Sequence, residues 1–312
     1  MPYAIGGNSR IRTNIPAENA YNSLDSANRD ISLRQLRLST GKRINNAADD
    51  VAGYITSKAL VARNGSLKAA QKAVSVAQNI SYIAMDAFDN VSSLLTDIKE
   101  SSATAASGAM GTDEKVALAK AAYRMVQQIQ TIVDSTVFGG RQLIDGTYSA
   151  DFVIATNNTH NLITLALDLT TSNADYNVAN NNFNINALSV DSFAGISNLD
   201  LKALNQVTSD DLGIFSNSKI SLTLVSLANA IDNVTKAATY VGGVTNRLTS
   251  QEDSLKSQIT NYDSAISRIE DSDVAQEQLQ LVRSQFLQSA SMSSLTQANS
   301  NPQQFLNLIK GQ

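Results

Sequence analysis

The feature that most constrains the fold is a long proline-free stretch, between Pro16 and Pro302, that carries apolar residues at helical spacing. Within it, apolar side chains recur at alternating intervals of four and three residues, at Ala73, Ala77, Ile80, Ala84, Ala87, Val91, Leu94 and Ile98. A similar seam near the C-terminus contains Leu248, Leu255, Ile259, Tyr262, Ile266 and Ile269. This spacing aligns the apolar residues on one helix face, as in a coiled coil. The pattern predicts a rod-forming, self-assembling subunit.

The composition argues against several other classes of protein. Aromatic residues make up only 5% of the chain and Trp is absent, which is unusual for a compact globule of 312 residues. The formal net charge of −4 provides no basic surface for nucleic acid. No run approaches the roughly 18 apolar residues of a membrane span, and no secretory signal is evident. We therefore expect neither nucleic acid nor a membrane as a partner.

The predicted fold class is mainly α, a long antiparallel helical bundle or coiled coil built from both termini. Four helical stretches are expected, at about 17–39, 47–106 with an irregularity near residues 64–65, 113–136 with Thr112 as the cap, and 222–295 with a bend. Residues 152–155 and 162–169 alternate and are rich in Val, Ile and Thr, so they predict a β-hairpin in a small central insert. Gly41 suits the left-handed position after a helix end, and Asp49 and Asp50 are expected in the first turn of the next helix.

Three domains are predicted from these elements. Residues 1–46 with 271–312 form an inner terminal coiled coil, and residues 47–146 with 220–270 form an outer helical rod. Residues 147–219 form a short surface insert of strands and loops. The seam loses its register at Glu270–Asp273 and restarts at Leu279, Val282 and Phe286, which indicates a boundary between two coiled coils.

Two sequence blocks resemble those of bacterial flagellin. Residues 38–50, LSTGKRINNAADD, are similar to the family's N-terminal signature, and residues 267–275, SRIEDSDVA, are similar to its C-terminal one. Further matches are Ile11, Asn14, Ala17, Asn19, Ala20 and Leu24 near the start, and Gln297–Asn299, Pro302, Gln303 and Leu306 near the end. The resemblance covers roughly residues 11–145 and 220–309.

The resemblance implies a structural subunit of the flagellar filament, the propeller for swimming, and no enzymatic activity. Such subunits travel unfolded through the type III export channel and are added at the distal end of an extracellular filament. The implied partners are copies of the same chain, an export chaperone at the C-terminal helix, and the filament cap and hook–filament junction proteins. A hook–filament junction protein is the nearest alternative, and a filament subunit with a carbohydrate-binding insert is a further one.

The residues expected at subunit interfaces come from both terminal regions. They are Leu24, Ile31, Leu38, Arg43, Asn46, Asp49, Asp50, Arg268, Asp273, Leu279, Val282, Phe286, Leu287 and Leu295. For Arg43 with Asp49 and Asp50, one interpretation is a dipole contact with a surface ion pair, and the other is a contact between neighbouring subunits.

One stretch departs from the family pattern. The family's arginine-x-arginine-glutamate-leucine segment, a contact for the vertebrate flagellin receptor, is Asp97-Ile98-Lys99-Glu100-Ser101 here. Because Asp97 reverses a charge and Ser101 lacks the leucine side chain, weak receptor activation is expected.

No catalytic residue, cofactor or metal is predicted. His160 is the only histidine, so no histidine pair can serve a zinc site, and there is no Cys. Asp271 and Asp273 are close in sequence, but solvated carboxylates at the seam discontinuity explain them. The only sequence signals of function are therefore the terminal seams and the two signature blocks.

Overall fold

The computed structural model describes residues 13–156, 162–170, 183, 185, 192–194, 196, 197 and 199–311. The expectations for residues 1–10, for His160 and for most of 171–185 lie outside this part. Five α-helices are described: α1 Ile15–Thr40, α2 Val51–Ala105, α3 Thr112–Ser135, α4 Ile220–Glu270 and α5 Val274–Lys310. Among the described residues, two 3₁₀ helices, Lys202–Gln206 and Gly213–Phe215, precede α4. The predicted mainly α fold is confirmed.

The strands form three antiparallel pairs in the described part of the chain. They are β1 Val137–Phe138 with β2 Arg141–Gln142, β3 Ser149–Thr156 with β4 Leu162–Asp168, and β5 Ser192–Phe193 with β6 Ile196–Ser197. The β3–β4 pair confirms the predicted hairpin, and its register shifts between Val153 and Ala155. Gly139 and Gly140 adopt φ of 60° and 80° in the β1–β2 turn, which Gly reaches without a Cβ clash.

The helix boundaries correct four sequence-based expectations. The second helix begins at Val51, so Asp49 and Asp50 precede it and do not lie in its first turn. It continues without interruption through Asn64 and Gly65, where the Asn64 amide donates a hydrogen bond to Asp263 of α4. The cap of α3 is Gly111 and not Thr112. The expected bend is a complete break, at residues 271–273, between α4 and α5.

The chain divides into two compact units, Met1–Asn64 with Thr260–Gln312, and Gly65–Ile259. In the first, α1 and α5 pack antiparallel. The start of α1 meets the later part of α5, because the Asn14 amide donates to the Ala298 carbonyl at 2.8 Å. The end of α1 meets the start of α5, because Arg34 Nη1 lies 2.7 Å from Glu277 Oε2.

The apolar core of the first unit is thin. Between α1 and α5 it consists mainly of small side chains, and its most buried apolar members are Ala20, Ala27, Leu281 and Ala298. Two polar residues of α5, Glu277 and Ser284, are buried in the same region. Since burial stabilises in proportion to apolar area, this pair of helices gains little from hydrophobic contact.

The second unit has a larger core. Along α2 the fully or nearly buried residues are Val74, Ala77, Ile80, Ala84, Ala87, Val91, Leu95 and Ile98. Six of the eight predicted seam positions are thus buried, whereas Ala73 and Leu94 are only half-buried and their neighbours Val74 and Leu95 face inward. The buried residues keep a seven-residue repeat, in the two series Val74, Ser81, Phe88, Leu95, Ser102 and Ala77, Ala84, Val91, Ile98, Ala105. Ala73 and Leu94 lie one residue before members of the first series and so border the buried face.

The central insert packs onto the helices of this unit. Phe183 lies edge-on between Phe88 of α2 and Phe193 of β5, with ring centroids 5.3 and 6.1 Å apart. The buried Asn233 amide of α4 donates to the carbonyl of Ala194, which is fully buried with φ of 51°. Asn233 precedes Val234 and Thr235, a glycosylation-acceptor pattern, but its amide is occupied in the core.

Candidate assembly surface and its supporting loop

The signature block at residues 41–50 forms a loop that lies against the α4–α5 break. Gly41 has φ of 69° and its N–H donates to the Arg37 carbonyl at 2.8 Å, so it ends α1 as predicted. The Ser272 N–H then donates to the Gly41 carbonyl at 3.0 Å, and the Arg43 N–H donates to the Glu270 carbonyl at 2.6 Å. Residues Lys42 and Asp271 also form an isolated antiparallel β-bridge through their backbones. These contacts join the two signature blocks side by side.

A buried carboxylate anchors this loop. Glu270 is 4% exposed, and Lys42 Nζ lies 2.7 Å from its Oε2 atom. The hydrogen bond from Lys42 holds the pKa of Glu270 below its usual value, against the opposing effect of burial. The charged form of Glu270 is therefore part of the folded loop.

Asp49 and Asp50 shape the entry into α2. Asp49 Oδ2 accepts hydrogen bonds from the backbone N–H groups of Asn45 and Asn46, each at 2.9 Å. The bonds from Asn46 and Asn45 lower the pKa of Asp49. Asp50 Oδ1 accepts from the Gly53 N–H at 2.9 Å, which caps the helix.

Arg43 connects this turn to the C-terminal block. Its guanidinium donates to the Ile269 carbonyl at 2.9 Å and lies 3.5 Å from Asp50 Oδ2. These contacts within one chain account for the Arg43–Asp50 pair as a partly exposed ion pair. A contact of either residue with a neighbouring subunit stays a prediction.

A second charged cluster, which the sequence did not identify, joins α1 to α5. Glu277 accepts from Arg34 at 2.7 Å and from Arg37 at 3.2 Å. Burial opposes ionisation of Glu277, but the two guanidinium groups outweigh it and lower its pKa. The i, i+3 spacing of Arg34 and Arg37 indicates that the two side chains lie on the same face of α1. Spacing alone does not identify the residue that this face contacts.

The predicted interface residues fall into two groups. Leu279, Val282, Phe286 and Leu287 of α5 are 64%, 50%, 78% and 51% exposed. With Arg283 and Ala290 they line a shallow apolar groove between side chains on one face of this single helix. They face away from the buried residues Glu277, Leu281 and Ser284. We name this feature the α5 groove.

The other predicted interface residues lie elsewhere. Leu24, Ile31, Leu38 and Leu295 are half-buried on the paired terminal helices. Asn46 and Arg268 are exposed. Asp273 caps α5, because its Oδ1 accepts from the N–H groups of Ala275 and Gln276 at 2.9 and 3.1 Å. The structure thus brings Arg43, Asp49 and Asp50 together and leaves the α5 groove apart from them.

The receptor-contact stretch lies in the second unit, on α2. Asp97 and Glu100 are exposed, while Lys99 and Ser101 are half-buried. The Ser101 hydroxyl donates to the Asp97 carbonyl at 2.9 Å. Ile98, between them, faces the core with 1% exposure.

The described residues contain neither a metal site nor a membrane-spanning helix. No group of three His, Cys, Asp or Glu side chains there could hold a metal ion. Asp271 accepts instead from the Ser267 hydroxyl at 2.6 Å. None of the described helices has the length and apolarity that crossing a membrane requires.

The terminal helices α1 and α5 are paired, polar contacts anchor their thin core, and the α5 groove is exposed. These features are typical of a helical structural protein that associates with other subunits. Residues 11–149 match the N-terminal helical region of bacterial flagellin, and residues 224–309 match its C-terminal helical region. The chain belongs to the bacterial flagellin family, which is a family of structural proteins.

Similar proteins cover nearly the whole chain. Flagellin of Bacillus subtilis (strain 168) is 28% identical over 96% of this chain and 100% of its own length. Flagellin of Halalkalibacterium halodurans is 26% identical over 96% of this chain and 99% of its own. Among solved structures, a putative flagellar hook-associated protein from Vibrio parahaemolyticus is similar, with a TM-score of 0.56, 15% identity, and coverage of 72% of this chain and 100% of that protein. The last likeness concerns the fold alone.

Proposed function

We propose that this chain is a structural subunit that polymerises into the bacterial flagellar filament, the helical propeller for swimming. The observation that carries the proposal is the antiparallel α1–α5 pair with the α5 groove exposed beside it, in a chain whose two ends match flagellin. The proposal assigns no catalytic step to the chain. Its place is the flagellum, an extracellular appendage.

Association with copies of the chain has a clear energetic source in the α5 groove. Full burial of a Leu, Val or Phe side chain contributes about 1.5–3 kcal/mol. The groove offers four such side chains, Leu279, Val282, Phe286 and Leu287. An association that repeats head to tail without closing gives an open helical polymer and not a ring.

Other partners follow from the same role. We propose export of the unfolded chain through the filament channel and addition at the distal end, beneath a cap protein. Before assembly, an export chaperone would cover α5, because an exposed apolar groove promotes aggregation. A hook–filament junction protein would contact the base of the same filament.

Seeded growth tests the proposal. Purified chain is added to short filament fragments and examined by negative-stain electron microscopy, with long tubes as the expected result. Short plugs that stop growing would instead indicate a junction protein, and monomers that never add to seeds would contradict the proposal.

A matched pair of variants tests the groove. Phe286→Ser removes its most exposed aromatic side chain and is expected to raise the monomer concentration needed for growth by about tenfold or more. Gln285→Ala alters an exposed neighbour that does not line the groove. Equal growth of Phe286→Ser and wild type would exclude the groove as an interface.

A further inference from the structure

Pro302 leaves one carbonyl of α5 without its helical donor. The helix continues through this residue, from Val274 to Lys310. In an α-helix the carbonyl of residue i−4 accepts from the N–H of residue i, and proline has no N–H. The Ala298 carbonyl therefore lacks its normal partner, and Ala298 is buried, with 8% exposure. A buried carbonyl without a donor is costly, so some other group must bond to it.

That group is the side chain of Asn14. Its Nδ2 atom donates to the Ala298 carbonyl at 2.8 Å. Its Oδ1 atom accepts from the Ala17 N–H at 3.2 Å and so caps the start of α1. A single amide thus satisfies one backbone group on each terminal helix, through its nitrogen on α5 and through its oxygen on α1.

Polar contacts hold the alignment of α1 with α5 at both ends of the pair: Glu277 with Arg34 and Arg37 at one end, and Asn14 with the Ala298 carbonyl at the other. The apolar residues between them are mostly alanines, such as Ala20, Ala27 and Ala298. A seam of similar small side chains packs almost equally well after a slip along the axis. A buried polar pair, in contrast, is satisfied in one register only. Pro302 is the sole proline of α5, so it frees a carbonyl at a single position.

We propose that Asn14 and the Ala298 carbonyl freed by Pro302 form a register latch, which sets the alignment of the start of α1 on the later part of α5. This inference rests on the proposed function for its effect on assembly. If α1 shifted along the axis of α5, the α5 groove would lie at a different axial position relative to α1. The latch therefore makes correct filament growth depend on the N-terminal start of α1 and the C-terminal part of α5 being folded together.

The variant Asn14→Asp separates the latch from the cap. Aspartate caps a helix as well as asparagine does and suits the helix dipole, so a role in capping alone predicts no loss. The latch predicts a loss, because a carboxylate cannot donate and would face the carbonyl oxygen. The matched control is Asn28→Asp on the same helix, where Asn28 Oδ1 only accepts, from Gln288 Nε2 at 2.7 Å.

The readout is the monomer concentration needed for seeded growth. Asn14→Asp should raise it on the order of tenfold, the effect of one buried unsatisfied group, and Asn28→Asp by less than about twofold. Pro302→Ala restores an N–H for the Ala298 carbonyl. In that background the effect of Asn14→Asp should fall to less than about threefold.

Two results would overturn the latch: unchanged growth of Asn14→Asp, or an equal penalty with and without Pro302. If the wild-type chain does not elongate seeds, the proposed function fails by itself. The latch is then tested by hydrogen exchange of residues 13–20 in the soluble chain. Faster exchange in Asn14→Asp than in Asn28→Asp would support it, and equal rates would refute it.

Discussion

At the scale of single residues, Glu277 makes the folded terminal pair sensitive to acid. Its pKa is lower in the folded chain than the ordinary value of 4.5, because Arg34 and Arg37 outweigh the effect of burial. A group with a depressed folded pKa stabilises the fold above its unfolded pKa, and this contribution is lost as the pH falls through the folded value. Glu270, paired with Lys42, acts in the same direction.

Glu277→Gln should therefore weaken assembled filaments at neutral pH by about 1.5–3 kcal/mol, the value of a charged hydrogen bond. It should also reduce the loss of stability with falling pH below about pH 4.5, because the amide does not titrate. Thermal dissociation followed by circular dichroism, from neutral pH to about pH 3, measures both effects. Asp89→Asn, which removes an exposed carboxylate from α2, is the control. A profile of Glu277→Gln that parallels wild type would show that this cluster does not govern acid sensitivity.

The altered receptor stretch supports a second prediction at this scale. Asp97 is exposed on α2 and carries the opposite charge to the family's arginine, so we expect weak activation of the vertebrate flagellin receptor. Reporter cells exposed to the purified monomer measure it. The double change Asp97→Arg with Ser101→Leu should increase potency. Full potency of the wild-type chain at ordinary flagellin doses would refute the hypothesis.

At the scale of elements, two glycines of α2 have opposite roles. A Cβ on Gly53 would lie 2.5 Å from Asp50 Oδ2 and 2.6 Å from Ile44 Cδ1, whereas a Cβ on Gly65 would meet nothing within 4 Å. Ile44 is buried and Asp50 caps the helix through the Gly53 N–H. Gly53 is therefore required for close packing of the loop, and Gly65 is not.

Gly53→Ala should destabilise the loop by about 1–2 kcal/mol, because Asp50 must leave its capping position. Gly65→Ala should stabilise α2 by about 0.5–1 kcal/mol, because alanine has the higher helix propensity. Thermal unfolding of the two variants beside wild type measures the difference. Stabilisation by Gly53→Ala would contradict the close approach at this residue.

The elements also show what spacing can and cannot predict. Existence and type of the long helices and of the β3–β4 hairpin followed from periodicity and β-branched runs. The start of α2 was wrong by four residues, because Asp49 bonds to backbone N–H groups of the preceding turn and so ends in loop geometry. A carboxylate near a helix start can lie in the first helical turn or bond to N–H groups of the preceding loop. The conformation of the preceding turn determines which of the two occurs.

At the scale of the whole molecule, the two units differ in how they are stabilised. The Gly65–Ile259 unit buries large side chains, including Phe88, Leu95, Ile129, Leu143 and Phe215. The terminal helices of the other unit bury mostly alanines and ion pairs. The terminal unit therefore gains less from folding alone, and ordering entropy opposes it.

Limited proteolysis should reveal this difference. In the soluble chain, cleavage is expected first within α1 and α5, while a fragment close to residues 65–259 persists. In assembled filaments both terminal helices should be protected, because neighbouring copies cover them. Mass spectrometry of the fragments identifies the cut sites, and cuts inside α3 or within residues 220–259 of α4 before any cut in α1 would contradict the prediction.

The sequence located the two terminal blocks but not their partners. The Arg34–Glu277 and Lys42–Glu270 pairs join residues more than 200 positions apart, and nothing in one chain's spacing specifies such pairs. The positions of Leu279, Val282 and Phe286 on one face were readable from periodicity. Their exposure could not be predicted, because apolar residues buried within one chain and apolar residues at a subunit interface have the same spacing.

The side-by-side crossing of residues 41–43 with 270–272 has a mechanical consequence. The chain enters and leaves the terminal helix pair at this one place, and backbone hydrogen bonds join the two crossing segments. In a rotating propeller, torque passed between that pair and the adjoining ends of α2 and α4 runs through the two covalent connections, residues 41–50 and 271–273, and through the hydrogen bonds between them. Because these bonds tie the two connections to each other, a load on one connection is shared with the other.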